Sequence, residues 1–255
     1  MADIKLYGYC TSPFVRKTAA FLYFKGVDFD HVPVNPVDAS KTLGKFGGTQ
    51  VPVLEIDEEW RRESSDHAYW LDELFPNNPL CPPEHRETVE RIDRWISGTF
   101  LMAFFRGAID GPNTVQTRFR FWRLAALVSS QTPMPEEVRN SWPDFVRQAP
   151  FIRAMAEHMD LTESIPDMQA RIGLELIAHL GDGPFLGGLP EPTMLDFALF
   201  PQIVFGAMAG LEDGIAAASV PVLKAWLRRV AERLPTNPIL VPDYMLVKRL
   251  DNLLA

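Results

Sequence analysis

Apolar and polar positions follow two rhythms along this chain of 255 residues, and the change between them divides it. In the first third, short alternating or apolar runs predict strands over 4–7, 27–34, 51–56 and 60–62. The last two form a hairpin around Asp57-Glu58-Glu59. Residues 13–25 and 64–75 have helical spacing, and a shorter helix is expected over 41–46, after the poorly periodic stretch that opens at Asn35-Pro36. Pro13 suits a first helical position because its missing N–H would go unpaired there anyway. Ser12 precedes it as a candidate N-cap, and Gly26 is placed to end the helix. Ser64 or Ser65 caps the later helix, and Gly47-Gly48-Thr49-Gln50 is a turn signal.

The β signal stops at the proline-rich segment Pro76-Asn77-Asn78-Pro79 with Pro82-Pro83, which reads as a linker. Beyond it, Val89, Ile92, Ile96 and Ala103 recur at helical spacing and predict one helix over 84–106. Further helices are expected over 114–129, 193–211 and 220–234, and over 166–180, where Met168, Ile172, Leu176 and Leu180 form a stripe. Prolines at 133, 135, 143 and 150 predict a loop or short turns between 131 and 150, and 181–192 is turn-rich. The expected architecture is an α/β domain over 1–76, in the thioredoxin-like order β-α-β-α-β-β-α. An all-α domain over 84–255 follows it.

Composition narrows the function classes. The chain is 47% hydrophobic and 23% charged, ordinary for a globular protein, and its net charge of −8 argues against a nucleic-acid partner. No basic run, signal sequence or apolar stretch of membrane-spanning length is evident, so a cytoplasmic location is expected. Two cysteines, Cys10 and Cys81, indicate neither a disulfide framework nor a zinc site, and no metal is expected.

Three short stretches can carry chemistry. Ser12 stands at the start of a helix, among free backbone N–H groups and at the positive end of the helix dipole, where a thiolate is held at least cost. Taken alone it reads as a simple cap. Pro52 follows a turn and opens a strand. Either it is a trans proline at a strand start, or a cis Val51-Pro52 bond turns the Val51 backbone outward to pair with an extended ligand. Glu63-Ser64 ends a strand and starts a helix. It is either an ordinary cap or a grip for an amino-acid head group, the N–H groups and hydroxyl of Ser64 taking the carboxylate and Glu63 the amino group.

In this order the stretches resemble the cytosolic glutathione transferase family. Ser12-Pro13-Phe14-Val15-Arg16-Lys17 is similar to the start of its tau class and of its omega class, which has cysteine where Ser12 stands. Val51-Pro52-Val53-Leu54-Glu55 and Glu63-Ser64 to Leu71-Asp72-Glu73 are similar to that family's glutathione-site segments. Phe185-Leu186-Gly187-Gly188 to Thr193-Met194-Leu195-Asp196-Phe197 resembles its helix-capping motif. The resemblance implies a detoxifying homodimer that adds glutathione to a small apolar electrophile. Ser12 would stabilise the thiolate, and Phe14, Gln50, Val51, Pro52, Glu63 and Ser64 would complete the glutathione site. Phe104, Phe105, Phe119 and Trp122 are candidates for the electrophile pocket.

Several positions depart from the family pattern. Asp38 stands where tau and omega enzymes place a lysine, leaving Lys41 as the nearest cation along the chain. Asp66 and His67 occupy positions that the family gives to core residues, and a solvated or ligand-facing polar patch is expected there. Cys10 is a rival for Ser12: exposed, it would support glutathione thiol transfer or peroxidase chemistry; packed, it would be inert. Tyr7 and Tyr9 are alternative sulfur donors. Val34-Asn35-Pro36-Val37 with Val51-Pro52 also resembles membrane-associated prostaglandin E synthase of the second type, without its Cys-Pro-Phe-Cys motif. A non-catalytic binding member of the same fold is the remaining alternative, favoured by the missing lysine.

Overall fold

The computed structural model describes residues 2–157 and 159–254. Strands β1 (Ile4–Gly8), β2 (Asp30–Pro33), β3 (Val53–Ile56) and β4 (Glu59–Arg61) form one sheet in the order β2-β1-β3-β4. β2 runs parallel to β1, with Leu6 opposite His31, while β3 is antiparallel to it, with Leu6 opposite Leu54. The β3–β4 hairpin turns on Asp57 and Glu58, both at positive φ (48° and 75°), the conformation that a two-residue turn needs to match the strand twist. Alternate residues of β1 serve two cores. Ile4 and Leu6 enter the main core, and Tyr7 a smaller one with Val34, Leu43, Phe46 and Val53.

Helix α1 (Pro13–Lys25) follows β1, α2 (Ala39–Leu43) with a tight turn at Gly44–Phe46 follows β2, and α3 (Ser64–Leu74) follows β4. Gly26 ends α1 in the left-handed region (φ 67°), its N–H reaching the Leu22 and Tyr23 carbonyls. Gly8 is required by close approach: a Cβ there would stand 2.3 Å from Val15 Cγ2.

After the linker the described chain is helical. The helix expected over 84–106 has a π-helical turn at Ile96–Phe100 between α4 (Arg86–Trp95) and α5 (Leu101–Ile109). α6 (Val115–Ser129) comes next. The 131–150 stretch differs from the expected loop: α7 (Glu136–Asn140), α8 (Trp142–Gln148) and α9 (Pro150–Ala156) occupy it and the residues just beyond. Its prolines begin helices rather than interrupt them: Pro135 precedes α7, Pro143 lies in the first turn of α8, and Pro150 opens α9. α10 (Ile165–Leu180), α11 (Met194–Met208), α12 (Pro221–Ala231) and α13 (Leu250–Leu254) complete the chain. At the start of α11 the expected reciprocal cap is present: Thr193 Oγ1 accepts from the Leu195 N–H and Asp196 from the Thr193 N–H.

The main core runs from the sheet through α1 into α11, α4 and α10 without a break. α1 therefore has neighbours on nearly every side, and Arg16, Lys17 and Lys25 are buried along with its apolar residues. His67 on α3 is buried too, which corrects the expected polar patch. Its Nε2–H donates to the Arg61 carbonyl (3.0 Å), leaving Nδ1 to accept from Thr18 Oγ1 on α1 (2.9 Å). Only Asp66 of that pair is exposed.

Burial pushes His67 down to about 4. A depressed histidine contributes stability that is fully present above its unfolded value of about 6.5 and is lost as pH falls toward 4. Urea unfolding at pH 7 and pH 4.5 should therefore show a loss about 2.5 kcal/mol greater in the native protein than in His67→Leu.

Candidate active site

Strand directions bring the three stretches to one edge. The end of β1, the start of β3 and the end of β4 all lie at the same end of the sheet. α1 and α3 start there as well, so two sets of unpaired N–H groups and two positive dipole ends converge. Continuing the Tyr7–Val53 register by two residues places Val51 opposite Tyr9.

The turn before α1 is tight. The Ser12 N–H donates to the Tyr9 carbonyl (2.9 Å), and Ser12 is the N-cap, its Oγ accepting from the Val15 N–H at 3.4 Å. Accepting that long bond leaves the hydroxyl hydrogen free to donate. Val51-Pro52 is cis, and the Val51 N–H and C=O have no hydrogen-bond partner among the described residues. Gln50 and Glu63 meet, Nε2 donating to Oε1 at 3.3 Å, with Ser64 buried at the first turn of α3. Phe14 is half-buried against the main core.

Cys10 behaves differently from Ser12 although two residues apart. It is fully buried, its Sγ faces the Leu127 carbonyl at 3.9 Å, and burial pushes the thiol up to about 11. A thiol in that state carries almost no thiolate near neutrality, so the structure removes the basis for a reactive Cys10. Tyr7 is turned into the small core, where its hydroxyl donates to Glu55 (2.6 Å) and accepts from Lys45 (3.2 Å). Lys45 is thereby committed to Tyr7 and Glu55. Lys41 pairs with Asp38, both at the surface.

The aromatic candidates separate. Phe105 packs with Tyr9 and Ile109 against Phe121, Ala125 and Trp142, in a second core that α7–α9 help to close. Phe104, Phe119 and Trp122 remain 47%, 58% and 41% exposed. On α6 the face turned to the Tyr9 cluster carries Phe121, Leu124 and Ala125, which leaves Phe119 and Trp122 on the outer side. There Trp122 Nε1 donates to the Asn140 carbonyl (3.0 Å). These two correct the expected pocket.

A polar cluster behind the site escaped the sequence reading. Lys17 Nζ, fully buried, donates to Asp93 Oδ1 (2.6 Å), Ser65 Oγ (2.9 Å) and Ser97 Oγ (3.2 Å), while Ser65 Oγ donates to Asp93 Oδ2 (2.6 Å). α1, the first turn of α3 and α4 thus share one ammonium. The available signal was an Arg16-Lys17 pair inside a largely apolar helix.

A family model for the N-terminal domain of glutathione S-transferase matches residues 6–79. Glutathione S-transferase U4 of Arabidopsis thaliana is 30% identical over 87 residues, which are 33% of this chain and 39% of that protein. The family match is thus confined to the N-terminal third, and the chain spans about two fifths of the length of the first curated relatives it matches. Similarity to other proteins extends further at lower identity. Protein LigF of Sphingobium sp. strain SYK-6 is 24% identical over 249 residues, 90% of each chain, and its crystal structure, a beta-etherase, superposes with a TM-score of 0.58 over 90% of this chain and 98% of that one. A glutathione S-transferase of Ceriporiopsis subvermispora, solved with glutathione, has 17% identity and a TM-score of 0.59, covering 94% of this chain and 99% of that one. The glutathione transferase fold is thus shared along almost the whole chain. Among the described residues no helix is long and apolar enough to cross a membrane, and no group of three acidic, histidine or cysteine side chains is placed to hold a metal.

The Lys17 cluster has a measurable consequence. Lys17→Met leaves Asp93 buried without its cation and should lower unfolding free energy by about 3–5 kcal/mol. Lys17→Met/Asp93→Leu should recover most of that loss in the same urea titration.

Proposed function

We propose that this protein is a glutathione transferase that adds the glutathione thiolate to a small apolar electrophile, with Ser12 donating to the sulfur. The observation that carries the reading is the convergence of a free hydroxyl at one helix N-terminus, the unpaired Val51 backbone and Glu63-Ser64 at a second helix N-terminus. The roles follow from chemistry. The Val51 N–H and C=O pair with the cysteinyl residue of glutathione, as an added strand would. Ser64 and the N–H groups at the start of α3 hold the γ-glutamyl carboxylate, and Glu63 takes its ammonium. Gln50 and Phe14 flank the peptide, beside Pro52. Ser12 and the N-terminus of α1 stabilise sulfur as the anion, which raises the nucleophilic fraction at neutral pH. The electrophile then stands on the Tyr9 side, against Phe105 and Ile109. Residues 1–76 serve as the glutathione unit and 84–255 as the electrophile side, in a cytoplasmic homodimer.

A second reading uses the same thiolate on an ether. It is favoured by the likeness to LigF, which extends over 90% of both chains. Sulfur attacks the carbon bearing an aryloxy group, the C–S bond forms as the C–O bond breaks, and the aryloxide leaves to take a proton.

Millimolar glutathione should raise the thermal midpoint of the native protein, because a ligand of the folded state stabilises it. With 1-chloro-2,4-dinitrobenzene, Ser12→Ala should lower kcat/KM by about 10²-fold, the order lost with one preorganised donor, and Cys10→Ala should leave it within about twofold. Loss of activity in Cys10→Ala alone would overturn the role of Ser12. Release of a phenol from an aryl ether, without turnover of the chlorinated substrate, would select the second reading.

A further inference from the structure

The buried cation of α1 that lacks a counter-ion is Arg16. It is 2% exposed; its Nε donates to Gln202 Oε1 at 3.0 Å and its Nη1 to the Cys10 carbonyl at 2.8 Å, and the guanidinium lies 3.7 Å from the centre of the Phe205 ring. No carboxylate among the described residues pairs with it. Among the described residues the one titratable side chain acting on its charge is Cys10, whose buried thiol is held neutral. Asp93 is taken by Lys17, His67 by Thr18 and Arg61, and Asp196, the acid of α11, by the helix start and Trp226. An uncompensated guanidinium in the core is a costly feature to retain for stability alone.

Its partner Gln202 is equally buried, at 1% exposure, and its Nε2 donates to the Pro13 carbonyl (2.9 Å) and the Ala198 carbonyl (3.2 Å). The turn that carries Ser12 is therefore held at both ends, through the Cys10 carbonyl by Arg16 and through the Pro13 carbonyl by Gln202. A neutral amide at 202 orients the guanidinium without cancelling its charge, whereas an acid in that place would form an ion pair with it.

We propose that Arg16, oriented by Gln202, is a positioning residue for sulfur activation: it fixes the Ser12 turn and supplies a positive charge that the glutathione thiolate balances. The proposal rests on the glutathione reading above. Arg16 is then a surplus buried charge beside α1's N-terminus, and binding of the anionic sulfur relieves it. The helix dipole and the guanidinium act in the same direction. At an effective dielectric of about 20, a unit charge held on the order of 10 Å from any thiol shifts it by about one pKa unit, which sets the scale of the effect a buried guanidinium in the next turn can have.

The test titrates the ultraviolet absorbance of the thiolate of bound glutathione in the native protein, Gln202→Glu and Arg16→Met. Gln202→Glu, which keeps a partner for Arg16 but neutralises it and gives up the Nε2 bonds to the Pro13 and Ala198 carbonyls, should raise the thiol pKa by about one unit. At a pH where the native complex is ionised, its affinity for reduced glutathione should fall several-fold more than its affinity for S-methylglutathione, which cannot ionise and so reports only the lost bond to the Pro13 carbonyl. Arg16→Met should shift the thiol in the same direction; should it fail to fold, Gln202→Glu decides alone. An unchanged thiol pKa in Gln202→Glu, or equal losses for both ligands, would overturn the role of Arg16 and leave the glutathione reading standing. Absence of glutathione binding to the native protein would overturn both.

Discussion

The contact on which the candidate site depends is the one between α1 and its surroundings on all sides. A helix enclosed by a sheet, α3, α4 and α11 has to satisfy every polar group it carries internally, since water is excluded. Lys17 does so by drawing Asp93, Ser65 and Ser97 around one ammonium. Lys25 does so at the other end, against Asp72 and the carbonyls of Phe75 and Asn77. Because Ser65 belongs to the first turn of α3, the spacing between the two helix N-termini is set by this ion pair. The groups that would grip the two ends of a peptide ligand are thus held through a cluster buried behind them.

Burial decides the chemistry of the 10–13 turn more than residue type does. Cys10 is the stronger intrinsic nucleophile, but an enclosed thiol is held in its neutral form, and the nearby Arg16 charge does not reverse that. In the role proposed for it, Ser12 needs no ionisation, because a hydroxyl donor works in its neutral state and gains strength as its environment becomes less polar. Enclosure that disables a thiol is therefore compatible with the proposed hydroxyl donor. The same reasoning separates Tyr7 from Ser12: its hydroxyl is already committed to Glu55 and Lys45 in a core on the other face of the strand.

Much of the fold was legible because it rests on local signals. Strand alternation, Pro13 after Ser12, Gly26 at the helix end and the Thr193–Asp196 cap each specify their own element, and the motif order placed them in a family. What escaped was set by long-range packing. His67 looked like surface polarity because its partners, Thr18 and the Arg61 carbonyl, become neighbours only when α3 lies on α1. Phe119 and Trp122 share a helix with Phe121 and Ala125, and only the partner helices decide which face turns inward. Prolines 135, 143 and 150 read as breakers because the same residue opens a helix or ends one, depending on what precedes it.

Helices α7–α9 add a second layer to the helical part. They close a second core over α5 and α6 that Tyr9 and Phe105 join, and Asn35, just after β2, donates to the Pro133 carbonyl (3.0 Å) at the start of the segment. A wall built from both halves of the chain therefore stands beside the Ser12 turn. On the proposed reading, an acceptor reaches sulfur along aromatic and aliphatic side chains, with the charged groups of α6 on the outside. Arg118 faces Asp144 and Trp122 there, and Arg123 is occupied by the Ala209 and Met245 carbonyls. An apolar acceptor path next to a turn of positive potential favours ionised sulfur and uncharged carbon in the same small volume, which is the combination that thiolate substitution requires.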